Sequence, residues 1–359
     1  MHRHVLDRLG WGIAGAATVT LVMVLAGIVS AGSLDPSGPP SSPSGVFGSG
    51  TPISSLPFPI TAPGSYYLTG NLTGVSGQSG ITIASNDVSL DLRGFTLQGV
   101  PGSGSGVKLQ SPTFWRAITV RNGTARGWGD SGFQAQFTNG GVFDSLTAEG
   151  NGLWGIVVGG GSSLSHCSAT NNGASGINAF ESTVSGCTAL WNAGHGFQIN
   201  TTVLTDCIAA HNTYQGVDSS SLSRIDGCNV SQNQGIGIKA LSSEVVGNKV
   251  SYNSGTGIEV SEAGSLVARN NVHGNSQVGV GFGINVPGSN SRIDENHVTD
   301  DGAGPAQETG INVTGAGNVV IRNTAHANVA NYAFPGAGGS YGPLSTAGAA
   351  TNPFSNIDY

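Results

Sequence analysis

The sequence predicts an all-β solenoid, and three observations lead to that fold class. A glycine followed by an apolar residue recurs every 20 to 27 residues from Gly80 to Gly310. Glycine supplies 59 of the 359 residues, without the strict three-residue period of collagen. Only 9% of residues are charged, against about a quarter in ordinary domains, which argues against helical bundles and coiled coils. Self-similarity at this period is typical of solenoids, in which each repeat contacts only its neighbours.

Each repeat has room for three short strands. In the repeat from Gly196 to Gln215, apolar and polar residues alternate in short runs that are separated by turn residues. Such alternation predicts strands with one buried face, and a repeat of this length leaves no room for a helix. The marker glycines predict about eleven coils and a rod roughly 50 Å long. They are Gly80, Gly106, Gly132, Gly155, Gly176, Gly196, Gly216, Gly237, Gly257, Gly283 and Gly310.

Residues at equivalent positions of successive repeats should stack in columns along the axis. The cysteine spacings equal the repeat length, which places Cys167, Cys187, Cys207 and Cys228 in one inward column. Stacked β-carbons roughly 4.8 Å apart exceed the roughly 3.5 to 4.5 Å of a disulfide, so we expect buried free thiols. A second column contains asparagines, which can hydrogen-bond from coil to coil at the turns. Its members are Asn172, Asn192, Asn212, Asn233 and Asn253.

These features carry a family resemblance. With Gly-Ile-x-Val strands and Asn-rich turns, residues 80 to about 334 resemble a right-handed parallel β-helix of the pectate-lyase-like superfamily. The segments Ile60–Leu68 and Leu90–Phe95 are similar to the opening of exported bacterial members, and Asn352–Asn356 is similar to their closing segment. The resemblance covers nearly all of the chain after residue 50. It implies a fold and not an activity.

The resemblance and the local composition predict five segments. Residues 1–32 combine a basic start with an uncharged apolar run over residues 9–32, which predicts either a secretory signal peptide or an N-terminal membrane anchor. Residues 33–50 are rich in Pro, Ser and Gly and predict a linker. Residues 51–79 should form N-terminal cap strands, residues 80–334 the β-helix, and residues 335–359 a C-terminal capping tail. The expected location is extracytoplasmic, either secreted or anchored through residues 9–32.

Charge restricts the partners. The net charge is −7, and 13 basic residues leave no stripe that could neutralise phosphates. We therefore expect no nucleic acid partner, and membrane contact only through the N-terminal segment. The resemblance implies a polysaccharide or another cell-envelope glycan as the partner.

The candidate catalytic residues lie on the first strand of each coil. In similar polysaccharide lyases and hydrolases the substrate lies along the outer face of this strand. We call its outward-facing residues the outward column: Thr82, Lys108, Gln134, Val157, Asn178, Gln198, Asp218, Lys239, Glu259, Asn285 and Asn312. Asp218, Lys239 and Glu259 could supply an acid, a base and charge stabilisation for sugar chemistry. The alternative is an exposed ladder of alternating charge that only supports the sheet.

Known catalytic motifs do not transfer as sets. Gly194-His195-Gly196 resembles the Gly-His-Gly of polygalacturonases, but the paired aspartates expected about one coil earlier are absent. Mannuronan epimerases and related lyases place Asp-Pro-His-Asp after a Gly-Phe, whereas Gly196-Phe197 is followed here by Gln-Ile-Asn.

Binding residues are predicted beside the same strand. Trp191, His211 and Tyr252 share a column at the third turn, and aromatic faces in a shallow groove can stack on sugar rings. The alternative is that these rings pack on one another at the rim of the core. The predicted substrate-binding set is His195, Gln198, Trp191, His211, Tyr252 and Asn178.

A cation site is the remaining candidate. Asp300 and Asp301 lie in a long turn with Glu308, and their oxygens could hold Ca²⁺. The alternative is a solvated acidic loop. No cofactor is required by any feature of the sequence.

Three functions are consistent with these residues. The first is an exported cell-surface protein that contacts polysaccharide without a recognisable catalytic set, and this is the function that we favour. The second is a polysaccharide lyase, glycoside hydrolase or epimerase acting on an acidic polymer. The third is a structural envelope or adhesion protein.

Overall fold

The computed structural model describes residues 50–276, 281–300, 307–336 and 338–358. The predicted leader, and the predicted linker except Gly50, lie outside the described residues. Among the residues that are described, no helix is both long and apolar enough to cross a membrane. The only helical segment described is a single 3-10 turn at Ala347–Ala349.

One parallel sheet, the front sheet, runs along the whole described rod and contains the predicted first strand of each coil. Eleven of its thirteen described strands follow the marker glycines, and one further strand lies at each end. About twelve turns result, close to the eleven expected, and the all-β parallel solenoid is confirmed. The strands are Phe58–Ile60, Ile81–Ile83, Val107–Leu109, Phe133–Ala135, Ile156–Val158, Ile177–Phe180, Phe197–Asn200, Val217–Ser219, Ile238–Ala240, Ile258–Val260, Phe282–Val286, Thr309–Val313 and Ala330–Ala333.

The other two strands of each coil form two further faces. The second face contains Thr51–Ile53, Gly64–Leu68, Val88–Asp91, Ser163–Ser165, Thr183–Ser185, Val203–Thr205, Arg224–Asp226, Glu244–Val246, Leu266–Ala268, Arg292–Asp294, Val319–Ile321 and Ser340–Tyr341. The third contains Leu72–Thr73, Thr96–Gln98, Ser168–Thr170, Thr188–Leu190, Ile208–Ala210, Asn229–Ser231, Lys249–Ser251, Asn271–His273, His297–Thr299, Thr324–His326, Leu344–Ser345 and Asn356–Asp358. Ile118–Arg126 and Val142–Glu149 run through both faces and join them, while Trp115–Arg116 pairs with Thr138–Asn139.

The core is a stack of inward-facing apolar columns. In the coil that begins at Gly196, Phe197, Ile199, Leu204 and Ala209 are all at most 1% exposed. Each pairs in register with the equivalent residue of the next coil, so every column continues along the axis. Strand alternation therefore gives the buried face, as the sequence pattern predicted.

Asparagine ladders satisfy the buried turns, as expected. Asn192 donates through Nδ2 to Oδ1 of Asn212 at 3.0 Å, and Asn212 donates to Oδ1 of Asn233 at 2.9 Å. The same oxygens also accept backbone N–H groups of the preceding coil, at 3.0 Å for Asn192 N to Asn212 Oδ1. A buried amide left without a partner would cost stability. Asn212 bonds to the coil before it and to the coil after it, and so connects three coils.

The cysteine column performs the same task at the second turn. All four cysteines are buried and free. The backbone N–H of Cys187 donates to Sγ of Cys207 at 3.4 Å, and that of Cys228 donates to Oδ1 of Asn248 at 2.9 Å. The hydrogen bond with Cys187, together with burial, raises the pKa of the Cys167 thiol, which donates to the Ser165 carbonyl at 3.1 Å. The column continues as asparagines beyond Cys228, so thiols and amides occupy equivalent turn positions.

A third ladder was not recognised in the sequence. At the first turn, serine and threonine hydroxyls accept the backbone N–H of the preceding coil, for example Thr202 N to Ser223 Oγ at 3.2 Å and Ser223 N to Ser243 Oγ at 3.0 Å. The recurrence of a small hydroxyl residue at the repeat period is the signal that could have identified it.

Close approach explains the marker glycines. A β-carbon on Gly196 would lie 2.6 Å from the Gly216 carbonyl oxygen and 2.8 Å from Nδ2 of Asn212. Both atoms belong to ordered ladders and cannot move freely. The glycine therefore lets the front strand begin directly beneath the next coil.

Candidate functional site

The outward column is built as predicted. Strand pairing aligns Asn178 with Gln198, Gln198 with Asp218, Asp218 with Lys239, and Lys239 with Glu259. Neighbouring coils are roughly 4.8 Å apart, so Asp218 and Glu259 lie about 10 Å apart along the axis. The structure thus brings the three predicted catalytic residues, all half-buried, onto three successive coils of one outer face.

Lys239 does not form ion pairs with the carboxylates on the neighbouring coils of this column. In the described part of the chain, no ion pair within 4.0 Å joins Lys239 to Asp218 or to Glu259. Glu259 accepts instead from Nδ2 of Asn285 at 3.1 Å. Asn178 makes only a long contact of 3.5 Å with Gln198. A ladder of contact ion pairs is therefore not what the side chains form, and Lys239 keeps its donors available.

His195 joins the turn to this column. Its Nε2 lies 3.9 Å from Oδ2 of Asp218, and its ring lies 5.5 Å from the ring of Tyr214. Burial lowers the pKa of His195 below its ordinary value; Asp218 opposes this shift and Lys239 adds to it. Burial therefore favours the neutral form of this imidazole at pH 7. A neutral imidazole beside a carboxylate and an ammonium can accept a proton from a bound hydroxyl or carbon acid.

The aromatic side chains of the third turn divide into two contacts. The rings of Trp191 and His211 stack at 4.0 Å with an angle of 3° between their planes, and Trp191 remains 56% exposed. Two coils beyond His211, the Tyr252 hydroxyl lies 2.9 Å from Nε2 of His273, and the two rings meet edge to face. The rings thus pack on one another, as the alternative proposed, and still present an open aromatic face at Trp191.

The predicted cation site is only partly described. Asp301 lies outside the described residues. Asp300 is buried, and its Oδ2 accepts the backbone N–H of Gln307 at 2.7 Å, whereas Glu308 is exposed. Within the described ranges, no group of three or more His, Cys, Asp or Glu side chains is arranged to hold a metal ion.

Sequence reasoning missed the contact between His195 and Asp218. The sequence predicts His195 as a substrate-binding residue, but it does not show that the ring lies beside Asp218, which follows the next marker glycine. The sequence pattern also does not predict the ring contact between His195 and Tyr214. The signal that could have found the contact with Asp218 is position, because His195 directly precedes one marker glycine and Asp218 lies two residues after the next.

Comparison with known proteins decides the family. The family model described as "Right handed beta helix region" matches residues 105–244 and 234–342. The chain belongs to the right-handed beta helix family. No curated protein matches the chain by sequence. The right-handed parallel β-helix that the resemblance implied is therefore confirmed, and the family assignment covers the entire candidate site.

Solved structures share this right-handed beta helix. The mannuronan C-5 epimerase AlgE6 A-module of Azotobacter vinelandii is 14% identical with a TM-score of 0.55, over 86% of this chain and 88% of that chain. The AlgE4 A-module of the same organism is also 14% identical with a TM-score of 0.53, over 86% and 90%. The Dettilon tailspike protein is 14% identical with a TM-score of 0.50, over 81% and 60%. At this identity the likeness concerns the fold alone.

Proposed function

We propose that this β-helix protein binds polysaccharide along its front sheet. The observation that carries the proposal is the open aromatic face of the Trp191–His211 stack at the same turn as His195, whose ring contacts the outward column. Sugar rings stack on aromatic faces, and their hydroxyls bond to amide, carboxylate and ammonium groups. Because the column repeats at a constant spacing along a rod, it suits a linear polymer lying parallel to the axis.

The proposal places the protein outside the cytoplasm. The first support is the basic start of the chain, followed by the apolar run over residues 9–32. The second is the Pro/Ser/Gly-rich segment after that run, which would either hold the β-helix away from a membrane anchor or follow a cleaved leader. The folds shared with a mannuronan epimerase and a tailspike protein are consistent with a glycan partner. Binding as proposed needs no cofactor, and Ca²⁺ enters as a variable of the assay.

Affinity for immobilised polysaccharides tests this function. The full chain is measured against acidic and neutral polymers, with and without Ca²⁺, as wild type and as Trp191→Asn. Asparagine occupies the equivalent position one coil earlier, at Asn171, with the same left-handed backbone, so the substitution preserves the turn. Loss of stacking should weaken binding roughly tenfold.

Gln232→Asn changes the same column one coil beyond His211 and serves as the matched control. It should leave the affinity unchanged. A wild-type chain that is folded and binds none of the polymers would reject the proposal and leave the structural or adhesion role.

A second candidate function is catalysis on an acidic polysaccharide, and the contact between His195 and Asp218 favours it. In this reading neutral His195 removes a proton, and the ammonium of Lys239 stabilises the negative charge that develops on the substrate. Asp218, whose Oδ2 lies 3.9 Å from Nε2 of His195, would stabilise the imidazolium that forms. Glu259 lies one coil beyond Lys239 and could return a proton.

Product formation distinguishes catalysis from binding alone. We would follow unsaturated products, new reducing ends and epimerised units on the same polymers. Turnover that Lys239→Ala abolishes and Lys249→Ala preserves would favour the enzyme, since Lys249 is exposed on the third face. Binding without turnover in the wild type would favour the binding protein.

A further inference from the structure

An open cavity lies at the N-terminal end of the front sheet, far from His195. Its volume is about 570 Å³. Its floor is formed by Pro59, Thr82 and Lys108, which are consecutive members of the outward face because strand pairing aligns Pro59 with Thr82 and Thr82 with Lys108. The cavity is therefore a widening of the same surface that carries the candidate site.

The walls of this cavity are polar or rigid and carry no acid. Gln78 lies on one side and Gln110 on the other, and both are exposed and free to donate through their amides. The rings of Pro57 and Pro59 add apolar surface. None of the nine lining residues is Asp or Glu. Although the chain carries a net charge of −7, the local charge of this cavity is positive.

Lys108 supplies that charge. No carboxylate of the described residues lies within 4.0 Å of its ammonium, and its side chain is half-buried on the floor. The chain contains three lysines, and two of them, Lys108 and Lys239, belong to the outward column. Lys239 has a carboxylate on each neighbouring coil, whereas Lys108 has Thr82 and Gln134 as neighbours. A cation in neutral surroundings attracts an anion more strongly than one flanked by acids.

We propose that this cavity is a second sugar subsite that holds an anionic group of the polysaccharide, a carboxylate or a sulfate, against Lys108. The inference rests on the proposed function and adds the substrate class, an acidic polymer. Five coil steps separate Lys108 from Asp218, which corresponds to roughly 24 Å at about 4.8 Å per coil. A polymer long enough to cover this distance contacts both sites and gains affinity from their linkage.

Paired probes that differ only in charge test the subsite. Polygalacturonate is compared with its methyl ester for the carboxylate, and dextran sulfate with dextran for the sulfate, on the full chain. The wild type should prefer the charged member of one pair. Lys108→Gln should reduce affinity for that charged member roughly tenfold and leave the neutral member unchanged, because one charged hydrogen-bonding partner is lost. Lys108→Arg should retain most of the preference, and Lys249→Gln should behave as wild type.

Length supplies a second readout. Oligomers too short to reach from Lys108 to Asp218 should bind the wild type and the control Lys249→Gln with the same weak affinity. Long oligomers should bind the wild type more tightly than short ones, and this advantage should be lost in Lys108→Gln. Unchanged affinity of Lys108→Gln for charged long polymers, with Trp191→Asn still weakened, would overturn the subsite and leave the proposed function standing. If Lys239→Gln lost the preference for the charged polymer while Lys108→Gln kept it, that result would also overturn the Lys108 subsite. A wild type that binds none of the four polymers would reject the proposed function itself.

Discussion

Two histidines show how the same side chain acquires opposite pKa shifts at different positions of the coil. Burial lowers the pKa of His195. The exposed His166 lies 3.0 Å from Oδ1 of Asp144, and the hydrogen bond to that carboxylate raises the pKa of His166. Both follow from position in the coil, because His195 precedes a front strand and His166 lies at the second turn with its ring in solvent. Of these two residues, only His195 is buried enough for desolvation to lower the pKa of its imidazole.

The pH dependence of stability should reveal this difference. In the unfolded chain His195 takes up a proton near pH 6.5, whereas in the folded chain it does so only at lower pH. The unfolded state therefore binds more protons in this range, and the free energy of unfolding should fall as the pH decreases below about 6.5. His195→Gln should flatten this loss when melting temperature is measured between pH 7.5 and pH 5.5. Glutamine is the residue that occupies the equivalent position one coil later, at Gln215.

His166→Gln provides the control with the opposite sign. The raised pKa of His166 contributes stability that is fully present below pH 6.5 and is lost as pH rises through its folded value. His166→Gln removes this contribution, so the melting temperature should fall more steeply with decreasing pH than in the wild type. Identical pH profiles for wild type and His195→Gln would contradict the assignment of a buried, neutral imidazole.

At the scale of the element, each turn is maintained by a polar column rather than by the turn sequence alone. Asn212 accepts two hydrogen bonds from Asn192 and donates one to the Ala189 carbonyl and one to Asn233. A single ladder residue thus connects three coils. The composition predicted the asparagines at the turns, and the structure adds the thiol and hydroxyl columns as equivalents.

Asn212→Ala should destabilise the β-helix by about 3 kcal/mol, because it leaves several buried donors and acceptors unpaired at once. Urea unfolding followed by circular dichroism measures the change. Asn200→Ala removes an amide at the outer end of a front strand, where it bonds only to side chains near the surface. This control should cost no more than about 0.5 kcal/mol. Equal decreases in the free energy of unfolding for the two variants would show that the asparagine ladder does not stabilise the turns.

At the largest scale, the described β-helix is a one-dimensional stack, in which each coil contacts mainly the coils before and after it. The front strands pair only with their two neighbours in every described coil. Removing one complete repeat should therefore bring equivalent columns together again. Removing half a repeat should place polar residues in the core.

Deletion of residues 196–215 should leave a folded β-helix. The deletion joins His195 to Gly216 and aligns Asn192 with Asn233 and Cys187 with Cys228, so both ladders continue. The free energy of unfolding should fall by about 1–3 kcal/mol, which is the contribution of some twenty residues. Deletion of residues 196–205 is the control and should abolish cooperative unfolding measured by circular dichroism. A complete-repeat deletion that fails to fold would show that coils are not equivalent.

The sequence by itself determined the repeat, the inward columns and the residues that share the outward face, because strand alternation and coil period depend only on local pattern. The marker glycines gave a count of eleven coils, and the front sheet has one further strand at each end, since Phe58–Ile60 and Ala330–Ala333 follow no marker glycine. Only the tertiary structure decided which side chains of different coils meet. The approach of His195 to Asp218, the stacking of Trp191 on His211 and the cavity around Lys108 depend on turn geometry and rotamers. Spacing along the chain does not encode those distances.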